Sequence, residues 1–506
     1  MTAKTLMIMG THSNAGKSIL VTALCRIFAQ EGYRVAPFKA QNMALNAGVT
    51  PEGHEIGRAT IAQAEAAGLP AHVDMNPVLL KPEGNQRSQV VLNGRHHTHL
   101  EAANWLSLKS MLWPHVTAAL ERLRAKTDLV IIEGAGSPVE INLKEGDIVN
   151  MRVARHARSP VVLVGDIDRG GVFAALVGTM VLLEPEERAL VKGFVINKFR
   201  GDVSLLGNGL AMLQERAFNT PTLGVIPFLP EIGVAAEDSV ALEEAGRRSR
   251  GAGEQKSRGE KIVDIAVIRL PHISNFDDFD PLAAEPGVRV RFVERLDDLG
   301  RPAAVILPGS KMTLADLAWL RQTGLAEQVV ALAQEGTPVV GICGGYQMLG
   351  QLLLDPDGVE AEPGAWASGL GLLPVETVFA GDKHTIQVQA TLQAETGPLA
   401  ALRGAPIRGY EIHMGRSQLL DPGAPCLSYI GPPENRHTDG ALAAGGCIWG
   451  TYLHGLFDND ALRHAWLASL GWQGRGQTFD RQLAYNRLAD HVRTHLDMDR
   501  LKQIIG

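Results

Sequence analysis

The chain has 506 residues, 45% hydrophobic and 20% charged, with a net charge of −7 at pH 7. That length implies two or three domains, and the composition is that of a folded soluble protein. The acidic balance excludes a general nucleic-acid binder, so an anionic ligand must be met by a local basic patch.

In chain order, the strand expected at Thr5–Met9 runs into Gly10-Thr11-His12-Ser13-Asn14-Ala15-Gly16-Lys17-Ser18, and the apolar-periodic stretch Ile19 to Phe28 follows. Strand, glycine-bounded loop and helix in that order make a phosphate loop, although five residues rather than four separate Gly10 from Gly16. The expected ATP contacts are Thr11, Asn14, Ala15, Gly16, Lys17 and Ser18. Backbone N–H groups cradle the phosphates, Lys17 neutralises the β/γ oxygens and the Ser18 hydroxyl joins a Mg²⁺ shell.

Further strands are expected at Arg34–Phe38, Leu129–Ile132, Val161–Val164, Gly193–Ile196 and Leu223–Ile226, alternating with helical stretches. That rhythm is a βαβ series with a mostly parallel sheet. Glu133, ending one strand, is the carboxylate expected near magnesium. Asn197, ending another, is a candidate for reading the nucleobase, an ordinary capped turn being the alternative. His96, His97 and His99 are expected in a solvated loop.

Residues 236–260 are rich in Glu, Arg, Gly and Ser without apolar period and read as a linker. A second α/β series follows at Asp264–Arg269, Val288–Phe292, Ala304–Leu307, Pro338–Ile342, Ile386–Ala390 and Ile448–Tyr452. The expected division is an ATP-binding domain over 1–235, a second domain over 261–460, and a helical tail, 461–506, closing that second domain.

Within this series Gly341-Ile342-Cys343-Gly344-Gly345-Tyr346-Gln347 has the shape of a nucleophile elbow with cysteine in place of serine. His454, ending the last strand, is its expected base: a Cys–His pair gives a thiolate near neutral pH and an acid for a departing ammonia. N–H groups of Gly344 and the Pro308-Gly309-Ser310 turn are the expected oxyanion donors. Gln347 is placed in the glutamine site. Glu411 and His413 are candidates for orienting His454 or lining the glutamine pocket, a structural role being the alternative. The remaining cysteines, Cys25, Cys426 and Cys447, lack CxxC spacing and read as free thiols. No run suits a signal core or membrane span, so a cytoplasmic protein without membrane partners is expected. A thiol nucleophile and an ATP loop on one polypeptide point to ATP-driven transfer of nitrogen from glutamine.

The second domain resembles the class I glutamine amidotransferases of the cobyric-acid and cobyrinic-acid diamide branch, and the first resembles dethiobiotin synthetase and its ATP-dependent relatives. The resemblance rests on Pro37-Phe38-Lys39-Ala40-Gln41-Asn42-Met43, Glu55-Ile56-Gly57-Arg58-Ala59, Met75 to Pro82, Gly165 to Gly171 and His272 to Asp280. In this domain order the chain is similar to the cobyric acid synthase family. The resemblance implies amidation of the b, d, e and g carboxylates of adenosylcobyrinic acid a,c-diamide through acyl phosphates, with ATP and Mg²⁺ as cofactors. It implies glutamine and a corrinoid as substrates and leaves a homo-oligomer open. Lys39, Asn42, Arg58, Lys81, Arg87, Asp147 and Arg169 become corrinoid candidates, and Ser18, Glu55 and Glu133 the metal set. Many class I enzymes carry a glutamate two residues after the histidine; here that position is Leu456, which leaves a dyad unless another group completes it. The competing readings are a cobyrinic acid a,c-diamide synthase and a nucleotide-switch protein of the partitioning-ATPase type. The latter usually has a second lysine early in its loop, which Thr11-His12-Ser13 lacks.

Overall fold

The computed structural model describes residues 2–83, 87–101, 105–230, 233–234, 262–421, 424–431 and 437–506. The chain divides into two compact units, one of Met1–Ala44, His54–Glu237 and Asp480–Gly506, the other of Leu45–Gly53 and Asp238–Phe479. The expected linker at 236–260 lies outside the described residues.

The first unit is built on six parallel strands, β1 (Lys4–Gly10), β2 (Val35–Phe38), β3 (Leu129–Glu133), β4 (Val161–Asp166), β5 (Val191–Phe199) and β6 (Thr222–Pro227). They lie in the order β6-β5-β4-β1-β3-β2. Leu6 to Met9 are all buried, the continuous apolar run of a strand covered on both faces. Met7, Met9 and Ile132 pack on one side with Leu112, Val116 and Leu120. Leu6, Ile8 and Ile131 pack on the other with Leu20, Leu24 and Phe28 of helix α1 (Lys17–Gln30). A smaller four-stranded sheet flanks this core, made of Gln41–Met43, Val78–Pro82, Arg87–Leu92 and Arg95–Glu101. His96, His97 and His99 therefore lie in a strand and not in the expected loop, and His99 Nδ1 sits 2.9 Å from a Glu83 oxygen.

The tail differs from expectation. Residues 480–506 belong to the first unit, while helix Asp460–Ser469 stays with the second. Tyr485, Leu488, Ala489, Val492 and Leu496 recur at helical spacing along Arg481–His495 and its C-terminal cap. That stripe completes the core around Leu20, Leu24 and Phe28. Arg26 Nε donates to Asn486 Oδ1 at 2.7 Å beside it, and the Tyr485 hydroxyl donates to Glu65 at 2.6 Å.

In the second unit the strands are β7 (Val263–Ile268), β8 (Val288–Val293), β9 (Ala304–Leu307), β10 (Val339–Ile342), β11 (Val375–Leu392), β12 (Pro406–Leu419), β13 (Ala441–Ala443) and β14 (Ile448–Thr451). The central sheet has the order β8-β7-β9-β10-β14-β13, parallel except for β13. The long hairpin β11–β12 anchors a second sheet. Leu45–Gly53 is held inside this unit by a reciprocal pair: Asn275 N–H donates to Asn46 Oδ1 at 2.7 Å and Ala47 N–H to Asn275 Oδ1 at 2.9 Å. Asn275 has φ +53°, so these bonds hold a left-handed residue three positions before Asp278.

Candidate functional site

In the first unit the loop after β1 turns through two left-handed residues, Asn14 (φ +64°) and Gly16 (φ +96°), before α1 begins. Alternating backbone of this kind aims successive N–H groups into one concavity, a nest for anions. Lys17 Nζ reaches back to the carbonyls of His12 (3.1 Å) and Gly136 (3.4 Å). Ser18 Oγ donates to Glu133 Oε1 at 2.7 Å, so the carboxylate expected at the metal does stand beside the loop hydroxyl. The same oxygen receives Lys39 Nζ at 2.7 Å, and Gln63 donates to Glu133 Oε2 at 2.6 Å. Asn197 donates its amide to Ala15 O at 3.0 Å and so fixes the loop. Thr11 Oγ1 and Ala15 are buried in it.

The residues expected at the corrinoid separate. Both side-chain polar atoms of Asn42 are buried and lack a hydrogen-bond partner. Arg58 is instead paired with Glu65 at 3.2 Å, and Lys81 with Glu55 at 2.7 Å. That second pair is buried on both sides, so Lys81 balances the charge of Glu55, as Lys39 does that of Glu133. The Asp147 carboxylate accepts the N–H groups of Val149, Asn150 and Arg152 at the start of helix Met151–Ala157. Arg169 is exposed, and Arg87 pairs with Glu83 at 3.3 Å.

In the second unit β10 ends at Cys343, which takes φ +50° and ψ −108° before helix Gly344–Leu349. A non-glycine residue there is strained, and the strain presents the thiol at the sheet's C-terminal edge. Leu307 O lies where a Cβ on Gly345 would be, which requires a small residue behind the nucleophile. A Cβ on Gly344 would come within 2.8 Å of Ser310 N, so the two backbones that could hold an oxyanion meet here. The Ser310 hydroxyl donates to buried Asp316 at 2.6 Å, which also holds His272 at 2.7 Å and fixes that turn.

His454 is 1% exposed and lies close enough to Cys343 to feel its side chain, while the Cys343 thiol donates to Ile412 O at 3.6 Å. Its Nδ1 lies 2.7 Å from Asp278 Oδ2, and Asp278 Oδ1 accepts Gly455 N–H at 2.8 Å. Burial lowers the His454 pKa, but the Asp278 charge and hydrogen bond, with Cys343 alongside, push it up to about 10. The orienting carboxylate is thus Asp278, which sequence reasoning missed; its only trace was membership of the His272 to Asp280 block. Glu411 does not fill that place, because its carboxylate faces His384 (3.1 Å) and His413 (3.3 Å). Leu456 is buried core. Gln347 has its amide engaged inside the unit, accepting from Thr313 at 3.0 Å and donating to the Tyr452 hydroxyl at 3.1 Å. Burial first, and then the Glu133 charge, pushes the Cys25 thiol up and leaves it a core residue.

Two protein families match the chain: the CobQ/CobB/MinD/ParA nucleotide binding domain over residues 6–241 and the CobB/CobQ-like glutamine amidotransferase domain over residues 264–462. A phosphate-loop domain followed by a cysteine-elbow domain defines a glutamine-hydrolysing, ATP-dependent amide ligase. Proteins named cobyric acid synthase are similar over the whole length. The one from Dehalococcoides mccartyi strain CBDB1 is 49% identical, covering 100% of this chain and 99% of its own. That from Moorella thermoacetica is 51% identical over 100% and 98%, and that from Roseiflexus castenholzii 51% over 97% and 97%. The chain belongs to the cobyric acid synthase family. None of the described helices is long and apolar enough to cross a membrane.

Proposed function

We propose that this chain amidates the b, d, e and g carboxylates of adenosylcobyrinic acid a,c-diamide to give adenosylcobyric acid, using ATP and glutamine. The observation that carries the nitrogen-supplying half is the buried Asp278–His454 pair beside the strained elbow cysteine, Cys343. The Cys343 thiolate attacks the glutamine carboxamide and the imidazolium of His454 gives its proton to the leaving ammonia. Water then cleaves the thioester to release glutamate, with His454 as base. Asp278 holds the ring with Nδ1 protonated and Nε2 free for this work.

In the other half, the substrate carboxylate takes the γ-phosphoryl group of ATP, and ammonia displaces phosphate from the acyl phosphate. A bare carboxylate is a poor electrophile, which is why ATP is needed. Ser18 Oγ and the Glu133 carboxylate are hard oxygen donors 2.7 Å apart, a set that suits Mg²⁺, which would neutralise charge on the transferred group. Lys17 and the loop N–H groups hold the phosphates. Lys39, beside Glu133, would bridge a substrate carboxylate to ATP.

The test supplies adenosylcobyrinic acid a,c-diamide and, separately, cobyrinic acid, each with ATP and glutamine, and counts amides added by mass spectrometry. Four additions to the diamide support the reading. Two additions to cobyrinic acid, with none to the diamide, overturn it.

A further inference from the structure

The hairpin β11–β12 carries a cluster that the glutaminase chemistry does not use. Glu411 and His413 are two residues apart on β12 and share one face, while Tyr410 takes the other. The Tyr410 ring stacks on His454 at 5.3 Å, while His413 stacks on Tyr452 at 3.7 Å. His384 stands directly opposite His413 across the hairpin. A bulge puts it there: from Phe379 to His384 one strand advances five residues while its partner moves two, from Gly415 to His413. Bulges of this kind re-aim side chains next to sites.

The donor atoms converge. His384 Nε2 and His413 Nε2 lie 3.1 and 3.3 Å from the same oxygen, Glu411 Oε2, and one ligand atom from each of the three residues falls within 4.8 Å of the others. Bonds of about 2.0–2.1 Å at angles of about 90–110° place neighbouring ligand atoms roughly 2.8–3.4 Å apart. His413 Nδ1 lies 2.7 Å from Gly415 O, and a carbonyl only accepts, so the ring hydrogen sits on Nδ1. In the neutral ring this leaves the Nε2 lone pair facing a carboxylate oxygen. A backbone carbonyl that fixes the tautomer and frees the other nitrogen is the usual support of a metal-ligating histidine. Glu411 is 3% exposed, so its charge needs a close cationic partner. The cluster lines a cavity of about 640 Å³ whose wall also carries Lys383 and Arg416.

We propose that His384, Glu411 and His413 form a binding site for a divalent cation of the zinc class, with a further coordination position open to the cavity. Two imidazoles and one carboxylate suit Zn²⁺ and related ions, and three protein ligands leave room for water or an anionic oxygen.

The test uses the full chain, dialysed against chelator and titrated with Zn²⁺ by calorimetry and with Co²⁺ by visible absorption. Wild type should bind one equivalent at this site, and Cys343→Ser should bind it equally. His384→Ala, a change at an exposed side chain, should weaken binding at least about 100-fold, more than loss of a supporting hydrogen bond does. Glu411→Gln should do the same and lose the Co²⁺ absorption bands. Absence of saturable binding, binding unchanged in His384→Ala, or binding abolished by Cys343→Ser would each overturn the proposal.

Discussion

Asp278 Oδ2 lies 2.7 Å from His454 Nδ1, joining two residues 176 positions apart, both almost wholly buried. The pair completes what a leucine at position 456 leaves undone. A carboxylate in this position sets the tautomer of the base and stabilises the imidazolium formed beside a thiolate. Asp278→Asn keeps the shape and removes the charge. Glutamine-dependent turnover should fall by up to about 10⁴-fold, while the reaction fed with ammonium salts persists. Equal rates in both assays for wild type and variant would remove Asp278 from the mechanism.

The same pair predicts a pH dependence of stability. Burial opposes a charged His454, yet Asp278 and Cys343 push its pKa up to about 10, above the unfolded value of about 6.5. Between those values the native protein binds more protons than the unfolded chain, so stability falls as pH rises. The contribution is complete below about pH 6.5 and disappears as pH climbs through about 10. Thermal midpoints across this range should drop more steeply in wild type than in Asp278→Asn, in which the partner charge is gone. Parallel slopes would show that the pair does not set the titration.

Separate chemistry in the two units predicts opposite splits from two substitutions. Cys343→Ala should abolish glutamine-dependent amidation and leave amidation with ammonium salts. Lys17→Ala should slow ATP turnover by orders of magnitude, because phosphoryl transfer rests on positioning and charge neutralisation. Its glutaminase rate should survive. If a folded Cys343→Ala protein loses both nitrogen sources, the division of labour is wrong.

Leu488, 1% exposed, packs in the cluster that holds α1. Leu488→Ala should destabilise the first unit by about 2–5 kcal/mol, the usual cost of emptying such a site. Heating should therefore abolish ATP turnover at a lower temperature than in wild type, with the inactivation temperature of glutaminase unmoved. The reverse order would place the tail helix with the second unit.

Asn46 belongs to a segment far from Asn275 in sequence, yet its side-chain oxygen accepts Asn275 N–H while Ala47 N–H donates to Asn275 Oδ1, just before Asp278. Asn46→Ala should loosen the left-handed turn at Asn275 and lower glutaminase kcat with little change in KM. Wild-type kcat would show that the turn holds itself.

Contiguous motifs were legible in the chain alone. The phosphate loop and the cysteine elbow are short stretches whose glycines and strand-to-helix context dictate backbone shape before any partner arrives. The parallel strands of the first sheet were readable for a similar reason, since buried parallel strands are continuously apolar, whereas Ile386–Ala390 proved part of the long hairpin and Ala441–Ala443 was not foreseen. Partner choice across distance was not legible. Nothing local distinguishes Asp278 from Glu411 as the companion of His454; the turn held by Asn46 and Asn275 and the alternation of β12 decide it. The apolar stripe at Tyr485, Leu488 and Val492 announced a buried helix face, but a stripe fits any complementary core. Only tertiary packing against Leu20, Leu24 and Phe28 assigned it to the first unit. The same holds for charges: Lys81 and Arg58 look ready for substrate, and Glu55 for a metal, until packing brings their counter-ions within reach. Burial makes an unpaired charge too costly to leave, and which neighbour satisfies it depends on the folded geometry.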